Sequence, residues 1–325
     1  MPPLLQISNL SIRFDTDDGT VAAVDNLSLT LEQGEIVGVV GESGCGKSAT
    51  AMAEPRLLPT PPARLLPDSS ITLKGQELTT LPTAAMRRLR GKHIGVVFQD
   101  PMTSLSPLWR TGAQIVEALR LHRNLSPADA QTGALEWLQR VGITDPERCA
   151  RAYPYELSGG MQQRVMIAIA LCHGPELLIA DEPTTALDVT TQDKILALMQ
   201  NLCRQTTAML LITHDMSVVR RLASRVMVMY AGEVVEEAPA AQFFANPLHP
   251  YAQALLAAIP SASTRGQRLY TIPGQVPSPL AWPTGCRFAP RCQYARQECF
   301  TNHPQLTTIN LNHKIRCPYS KPPAL

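Results

Sequence analysis

Residues 36–40 read Ile-Val-Gly-Val-Val and run directly into Gly41-Glu42-Ser43-Gly44-Cys45-Gly46-Lys47-Ser48, followed by Ala49-Thr50-Ala51-Met52-Ala53. A short apolar run bounded by glycine reads as a buried parallel strand. The next eight residues fit G-x-x-x-x-G-K-[ST], and an apolar, alanine-rich helical segment follows them, so the setting is strand, glycine-rich turn, helix. In such a turn Gly41, Gly44 and Gly46 let the backbone N–H groups of Glu42, Ser43, Cys45 and their neighbours turn inward onto phosphate oxygens. The positive end of the following helix, through Lys47, Ser48 and Ala49, faces the same anion. Lys47 reaches the terminal phosphates and Ser48 holds Mg²⁺. A glycine-rich turn without a ligand is the alternative, and the flanking strand and helix weigh against it. Pro55 cannot continue a helix and predicts its end or a kink near Glu54.

Working outward, apolar runs at Ile94–Phe98, Leu177–Ala180 and Met209–Thr213 read as further buried strands. They alternate with helical segments, which predicts an α/β fold with a mostly parallel core sheet. The segment from Leu4 to Leu31 alternates apolar and polar residues around Asp17-Asp18-Gly19 and predicts an antiparallel hairpin beside that sheet. Arg225–Glu237 predicts a second hairpin turning at Ala231-Gly232. Residues 100–172 carry no strand pattern and predict a helical subdomain. After Pro260 the texture becomes Pro- and Cys-rich, so a boundary is placed there: 1–260 for the main domain and 261–325 for a small extension.

The composition excludes several classes. The chain has 325 residues with 45% apolar content, enough for a sizeable core, and a net charge of only +2 with Lys and Arg scattered, which argues against a nucleic-acid partner. No run of 18 apolar residues occurs, and the N-terminus shows no basic start followed by an apolar stretch, so a cytoplasmic protein is expected. There its eight cysteines stand as free thiols or metal ligands rather than disulfides. Cys149, Cys172 and Cys203 fall on helical patterns and read as core.

Leu177-Leu178-Ile179-Ala180 ends in Asp181-Glu182. Ligands of open α/β sheets bind at the carboxyl ends of strands. Asp181 is therefore placed on Mg²⁺ and Glu182 on the attacking water of a phosphoryl transfer. An acidic solvated turn is the alternative when the pair is taken alone.

With Leu157-Ser158-Gly159-Gly160-Met161-Gln162-Gln163-Arg164 added, residues 1 to about 260 resemble the ATP-binding-cassette ATPases. The resemblance implies a P-loop cassette with an N-terminal antiparallel β subdomain and a helical signature subdomain. It implies that Ser158, Gly159 and Gly160 of one cassette close over ATP held by another. It places Gln99 on Mg²⁺ and the attacking water, Asp188 of Ala186-Leu187-Asp188 in signalling between cassettes, His214 on the γ-phosphate, and Phe14 against adenine. Outside the family Phe14 reads as an ordinary hydrophobic residue of the hairpin, and a lone histidine after a strand as structural. Cys45 stands where serine is frequent, which makes sensitivity to thiol reagents an expectation.

Two further stretches resemble the oligopeptide, dipeptide and nickel importer branch. They are Gln99-Asp100-Pro101-Met102-Thr103-Ser104-Leu105-Ser106-Pro107, with Ser106 replacing the usual Asn, and the tail from Asn246-Pro247-Leu248-His249-Pro250-Tyr251 onward. The branch implies an ATP-hydrolysing subunit at the cytoplasmic face of the inner membrane, importing di- or oligopeptides. Nickel or a metal chelate is the alternative cargo, and a soluble non-transport cassette ATPase the more distant one. Its partners would be a second, related ATPase chain, two transmembrane permease subunits and, indirectly, a periplasmic solute-binding protein. The stretch after Gln99 would border the groove for a permease helix. Cys286, Cys292, Cys299 and Cys317 are spaced C-x5-C-x6-C-x17-C. They admit a [4Fe-4S] cluster, which relatives in this branch are thought to carry, a zinc ion, or plain thiols. Replacing Cys286 is expected to alter the tail while sparing the nucleotide pocket.

Overall fold

The structure is a computed structural model that describes residues 2–184, 189–203, 207–259, 270–310 and 312–319. The chain forms two compact units, each gathered from separate stretches: Met1–Leu5, Leu31–Glu35 and Thr80–Leu211 make one, and Gln6–Thr30, Ile36–Thr79 and Ile212–Leu325 the other.

The second unit carries the glycine-rich loop. Its strand Ile36–Val40 is buried beyond the first residue, as its unbroken apolar run requires. It pairs in parallel with Arg225–Tyr230, from Val37 opposite Arg225 to Val40 opposite Val228. Arg225–Tyr230 turns back through Ala231 and Gly232 into Glu233–Pro239. Both turn residues have positive φ, 50° and 85°, as a two-residue hairpin turn of this hand demands. The antiparallel strand His313–Ile315 adds to Glu233–Pro239, and Thr307–Asn310 adds to His313–Ile315. The tail thus joins the sheet that carries the glycine-rich loop. Its strands are four and three residues long, and the outer one is wholly exposed, so neither leaves a period-2 trace in the sequence.

A smaller sheet in this unit holds the predicted N-terminal hairpin, Leu5–Thr16 and Gly19–Leu31, turning at Asp17-Asp18. It is completed by Ala63–Leu65, Ser70–Leu73 and Gln76–Glu77. After the glycine-rich loop the helix Lys47–Ala53 stops, with Glu54 as its last half-helical residue, where Pro55 predicts an end.

In the first unit, Ile94–Val97 pairs in parallel with Leu177–Asp181, and Ala208–Ile212 lies on the far side of Leu177–Asp181. The residues between form helices Pro101–Ser104, Thr111–His122, Pro127–Arg140, Pro146–Arg151 and Gly159–Leu171, the helical segment expected at 100–172. Three begin with proline after a side-chain cap: Asp100 accepts the Met102 N–H at 2.9 Å, Ser126 accepts the Asp129 N–H at 3.1 Å and Asp145 accepts the Arg148 N–H at 3.0 Å. Cys149, Cys172 and Cys203 are buried, as their helical patterns predict.

Candidate functional site: a nucleotide-binding loop, a signature helix and a strand-end acid pair

The loop 41–48 is shaped by glycine where no other residue fits. A Cβ on Gly41 would lie 2.2 Å from the Met229 carbonyl oxygen, and one on Gly46, at φ 102°, would lie 2.4 Å from that of Ala23. Those contacts keep both positions backbone-only and bring the chain close to its neighbours. Lys47 is buried, and its Nζ donates to the carbonyls of Gly41 at 2.8 Å and Glu42 at 3.0 Å. The ammonium is thereby folded over the loop it opens from, at the spot where an anion cradled by the loop would meet it. Ser43, Gly44 and Ser48 are exposed, and Ala49 is half-buried.

The expectation for Cys45 needs correction. Its side chain is fully buried, and burial pushes the thiol pKa up, only partly opposed by the nearby Lys47 ammonium. A thiol held protonated and out of solvent is a poor target for alkylating reagents.

His214 follows Ala208–Ile212 and is exposed. The backbone around it is pinned: the Thr213 hydroxyl accepts the Asp215 N–H at 3.0 Å, and Asp215 caps the helix Met216–Leu222 by accepting the Ser217 N–H at 2.8 Å. Phe14 sits in Leu5–Thr16, paired with Ala63 and partly exposed, a position that leaves ring surface for a planar ligand.

In the first unit, Leu177–Asp181 is buried throughout, and Asp181 remains buried at its end. Glu182 takes φ 44°, the left-handed region that non-glycine residues seldom occupy. Its carboxylate accepts from Gln99 Nε2 at 3.2 Å. The structure therefore brings together two of the predicted residues, Gln99 and Glu182, from adjacent parallel strands. Such a conformation persists only where the surrounding structure over-determines it.

Ser158 caps the helix Gly159–Leu171 with extended backbone and makes no side-chain cap bond. The first N–H groups of a helix have no intrahelical partner, so the exposed Ser158 and Gly159 with half-buried Gly160 present a hydroxyl and amides outward. A Cβ on Gly160 would meet Thr191 Cγ2 at 2.8 Å. Asp188 lies outside the described residues.

Beyond Gln99 the surface turns apolar. Met102, Leu108 and Trp109 are exposed, and a cavity of about 660 Å³ beside them is lined by Trp109, Arg110, Val116, Arg120 and Leu121. In the tail, Cys286, Cys292, Cys299 and Cys317 line one cavity of about 290 Å³. All four are free thiols. Burial raises the pKa of Cys286 to about 11 and raises those of Cys292 and Cys317. Among the described residues no group of three or more His, Cys, Asp or Glu side chains is arranged to hold a metal ion.

Nothing local to residues 41–48 announces what holds the second residue of the loop. Glu42 is bound on its carboxylate by Arg291 and on its N–H by Tyr251. Arg291 lies in the extension after residue 260 and Tyr251 shortly before it, so the C-terminal part of the chain reaches the nucleotide loop at these two contacts.

Strand, glycine loop and helix, together with an acid pair after a parallel strand and a Ser-Gly-Gly helix start, define a cassette-type ATPase. Residues 24–185 match the family described as ABC transporter, and residues 235–299 match the family described as oligopeptide/dipeptide transporter, C-terminal region. A candidate peptide import ATP-binding protein of Brucella abortus (strain 2308) is 47% identical over 97% of this chain and 95% of its own. The oligopeptide transport ATP-binding protein AppD of Bacillus subtilis (strain 168) is 45% identical over 98% of this chain and 97% of its own. Among solved structures, the dimeric ATP-binding cassette MJ0796, in a post-hydrolysis state bound to ADP and phosphate, superposes with a TM-score of 0.66 at 29% identity. That match covers 73% of this chain and 98% of the other. The chain belongs to the ABC transporter ATP-binding proteins and is an ATPase that binds ATP with Mg²⁺.

Proposed function

We propose that this chain is the energising subunit of an importer of di- or oligopeptides, working from the cytoplasmic face of the membrane with a second cassette and two permease subunits. The observation that carries this is the joint match of one chain to the cassette family and to the oligopeptide/dipeptide C-terminal region, with AppD similar over almost the full length of both. Among the described residues no helix is long and apolar enough to cross a membrane, and in this reading the solute passes through the permease subunits. The apolar surface of Met102, Leu108 and Trp109 with its cavity has the chemistry to receive an amphipathic helix of such a subunit.

In this reading each predicted residue has one task. Backbone amides of residues 41–49 bind phosphate oxygens, and Lys47 neutralises charge on the terminal phosphates. Ser48 in the second unit and Gln99 and Asp181 in the first would be the ligands offered to Mg²⁺, and the ion would supply neutralisation of phosphate charge. Glu182, positioned by Gln99, orients and polarises the attacking water. His214 bonds the γ-phosphate, Phe14 covers the adenine, and Ser158, Gly159 and Gly160 close over the nucleotide of a partner cassette, with Asp188 relaying between the two. An extracytoplasmic binding protein delivers the solute. The test is reconstitution with the permeases and the partner chain in proteoliposomes. Peptide delivered by the binding protein should accelerate ATP hydrolysis several-fold. Stimulation by nickel or a nickel chelate but not by peptide would overturn the cargo, and no stimulation by any solute would overturn the importer.

The tail cavity supports a second assignment. Four thiols share one cavity and are, in kind and number, the donors that a [4Fe-4S] cluster takes, although among the described residues no three of them are arranged to hold a metal ion; Arg316 lines the same space. Cys286, Cys292, Cys299 and Cys317 would hold it, and it would supply a cross-link for the cap. Protein purified anaerobically should show a broad visible band near ~400 nm, as iron–sulfur thiolate centres do. A colourless sample containing zinc, or no metal, rejects the cluster.

A further inference from the structure

Glu42 is the second residue of the loop that receives the triphosphate, and it brings a carboxylate into that loop. An unpaired carboxylate there opposes the binding of a highly charged anion, since like charges at this range repel measurably even in a well-screened setting. The structure shows how the conflict is resolved. Arg291 Nη1 donates to Glu42 Oε2 at 2.6 Å and Nη2 to Oε1 at 3.0 Å. This is the two-pronged pairing that gives guanidinium–carboxylate contacts their direction and strength. The guanidinium is itself anchored, because Nε donates to the Pro273 carbonyl at 2.8 Å. Its side chain is almost wholly buried, at 4% exposure, against 29% for that of Glu42.

The backbone of the same residue is held as well. The Glu42 N–H donates to the Tyr251 Oη at 2.8 Å. Tyr251 is fully buried, with its ring 4.6 Å from that of Tyr230 and 5.3 Å from that of Phe288, so its hydroxyl is a fixed acceptor. A second brace works through the Ala231-Gly232 turn. Arg287 donates to the Ala231 carbonyl and to Asp25, and the Gly232 N–H donates to the Cys45 carbonyl at 3.1 Å. Every one of these groups lies in the second unit.

We infer that Arg291 and Tyr251 are positioning residues for nucleotide binding: Arg291 neutralises Glu42 and turns its carboxylate away from the triphosphate, and Tyr251 fixes the backbone where the loop begins. The C-terminal region is thereby part of the nucleotide site of this chain. Neither residue touches nucleotide in this account, since each acts through Glu42. The inference rests on the reading of residues 41–48 as the triphosphate loop.

The test measures equilibrium binding of a fluorescent ATP analogue with Mg²⁺ to the full chain, with melting temperature recorded alongside. Binding by the parent, and its loss in Lys47→Ala, checks the loop itself, so failure there is distinct from failure of the inference. Arg291→Ala should weaken binding about 10- to 100-fold, the loss attached to unpairing a charged hydrogen-bonded group. The double variant Arg291→Ala/Glu42→Gln should recover most of that loss, because the uncompensated charge is gone. A merely structural arginine would not be rescued in this way. Unchanged affinity in Arg291→Ala, or a loss that Glu42→Gln fails to reverse, overturns the role of Arg291. Tyr251→Phe preserves the packing and serves if Arg291→Ala does not fold. It should weaken binding about 3- to 10-fold with the melting temperature nearly kept, and parental affinity in that variant overturns the inference.

Discussion

Two strand ends in this molecule carry the residues proposed to bind and hydrolyse ATP, and they are built differently. The loop after Ile36–Val40 is tied from many sides: Lys47 to its own carbonyls, Glu42 to Arg291 and Tyr251, and Cys45 to the Gly232 turn. The turn after Leu177–Asp181 instead places Glu182 in a strained backbone conformation at a half-exposed position, with an exposed Gln99 as hydrogen-bond partner. A cradle for an anion gains from rigidity, because amides fixed in advance need no reorganisation when charge arrives. A group that orients water must change its bonding as substrate enters and leaves, and a backbone held in a sparsely populated region marks such a place. The contrast predicts that damage to the first loop shows in affinity, and damage to the second in turnover.

The largest effect expected is at the acid turn. Glu182→Gln keeps the shape and the contact to Gln99 but cannot polarise water. ATP turnover in the assembled transporter should fall about 10³-fold while nucleotide affinity stays within about threefold, the pattern of a group that acts in the transition state. Normal turnover in this variant would remove Glu182 from the reaction. Lys47→Ala attacks the other side of the comparison. It should weaken Mg–ATP binding by about 10²-fold or more, read by titration with a fluorescent analogue, as expected when a buried ammonium that faces phosphates is removed. If instead affinity holds and only turnover drops, the division of labour between the two strand ends is wrong.

A smaller effect follows from burial. Cys45 lies inside the rigid loop with its thiol pKa raised by burial, whereas the tail cysteines are only partly buried. In metal-free protein, iodoacetamide should label the tail cysteines at least about 10-fold faster than Cys45, counted by peptide mass spectrometry, because the reagent reaches partly exposed thiols and not a fully buried one. Equal labelling would mean that the loop opens far more readily than its bonds suggest.

How much of this was readable before the structure depends on the range of the interaction. Strand, loop and helix at 36–53 are local, and their residue types announce them. So are the Ala231-Gly232 turn, which needs two residues tolerant of positive φ, and the acid pair at a strand end. The end of the helix before Pro55 was also legible, because proline forbids its continuation by sterics alone. The grip on Glu42 was not. Its partners stand 249 and 209 residues away, and a side chain reaching across that distance imposes no period on the sequence. The tail strands were missed for another reason: they are too short and too exposed for alternation to show. Cys45 was misjudged because a polar, glycine-rich neighbourhood reads as open, while the fold closes over it.

Glu54 sharpens the comparison from the stability side. It directly follows the helix that leaves the phosphate loop, is fully buried, and among the described residues neither carboxylate oxygen has a hydrogen-bond partner. Burial alone pushes its carboxyl well above the ordinary value of 4.5. In the folded chain it therefore holds its proton at pH values where the unfolded chain has lost it. With more protons bound in the folded state, stability must fall as pH rises through 4.5 toward the folded value, at up to about 1.4 kcal/mol per pH unit. Below 4.5 both states are protonated and this loss is absent. Glu54→Leu removes the buried acid while keeping a side chain of similar volume. At neutral pH it should raise unfolding stability by about 1–3 kcal/mol, the range for an unsatisfied buried polar group. Denaturant titration at two pH values checks it: the gain should shrink as the pH is lowered toward 4.5. A gain independent of pH would mean that packing, not the proton, accounts for it. A loss of stability would mean that the carboxyl has a partner which the fold supplies, and that the rigid half of the molecule extends one turn further than the phosphate loop.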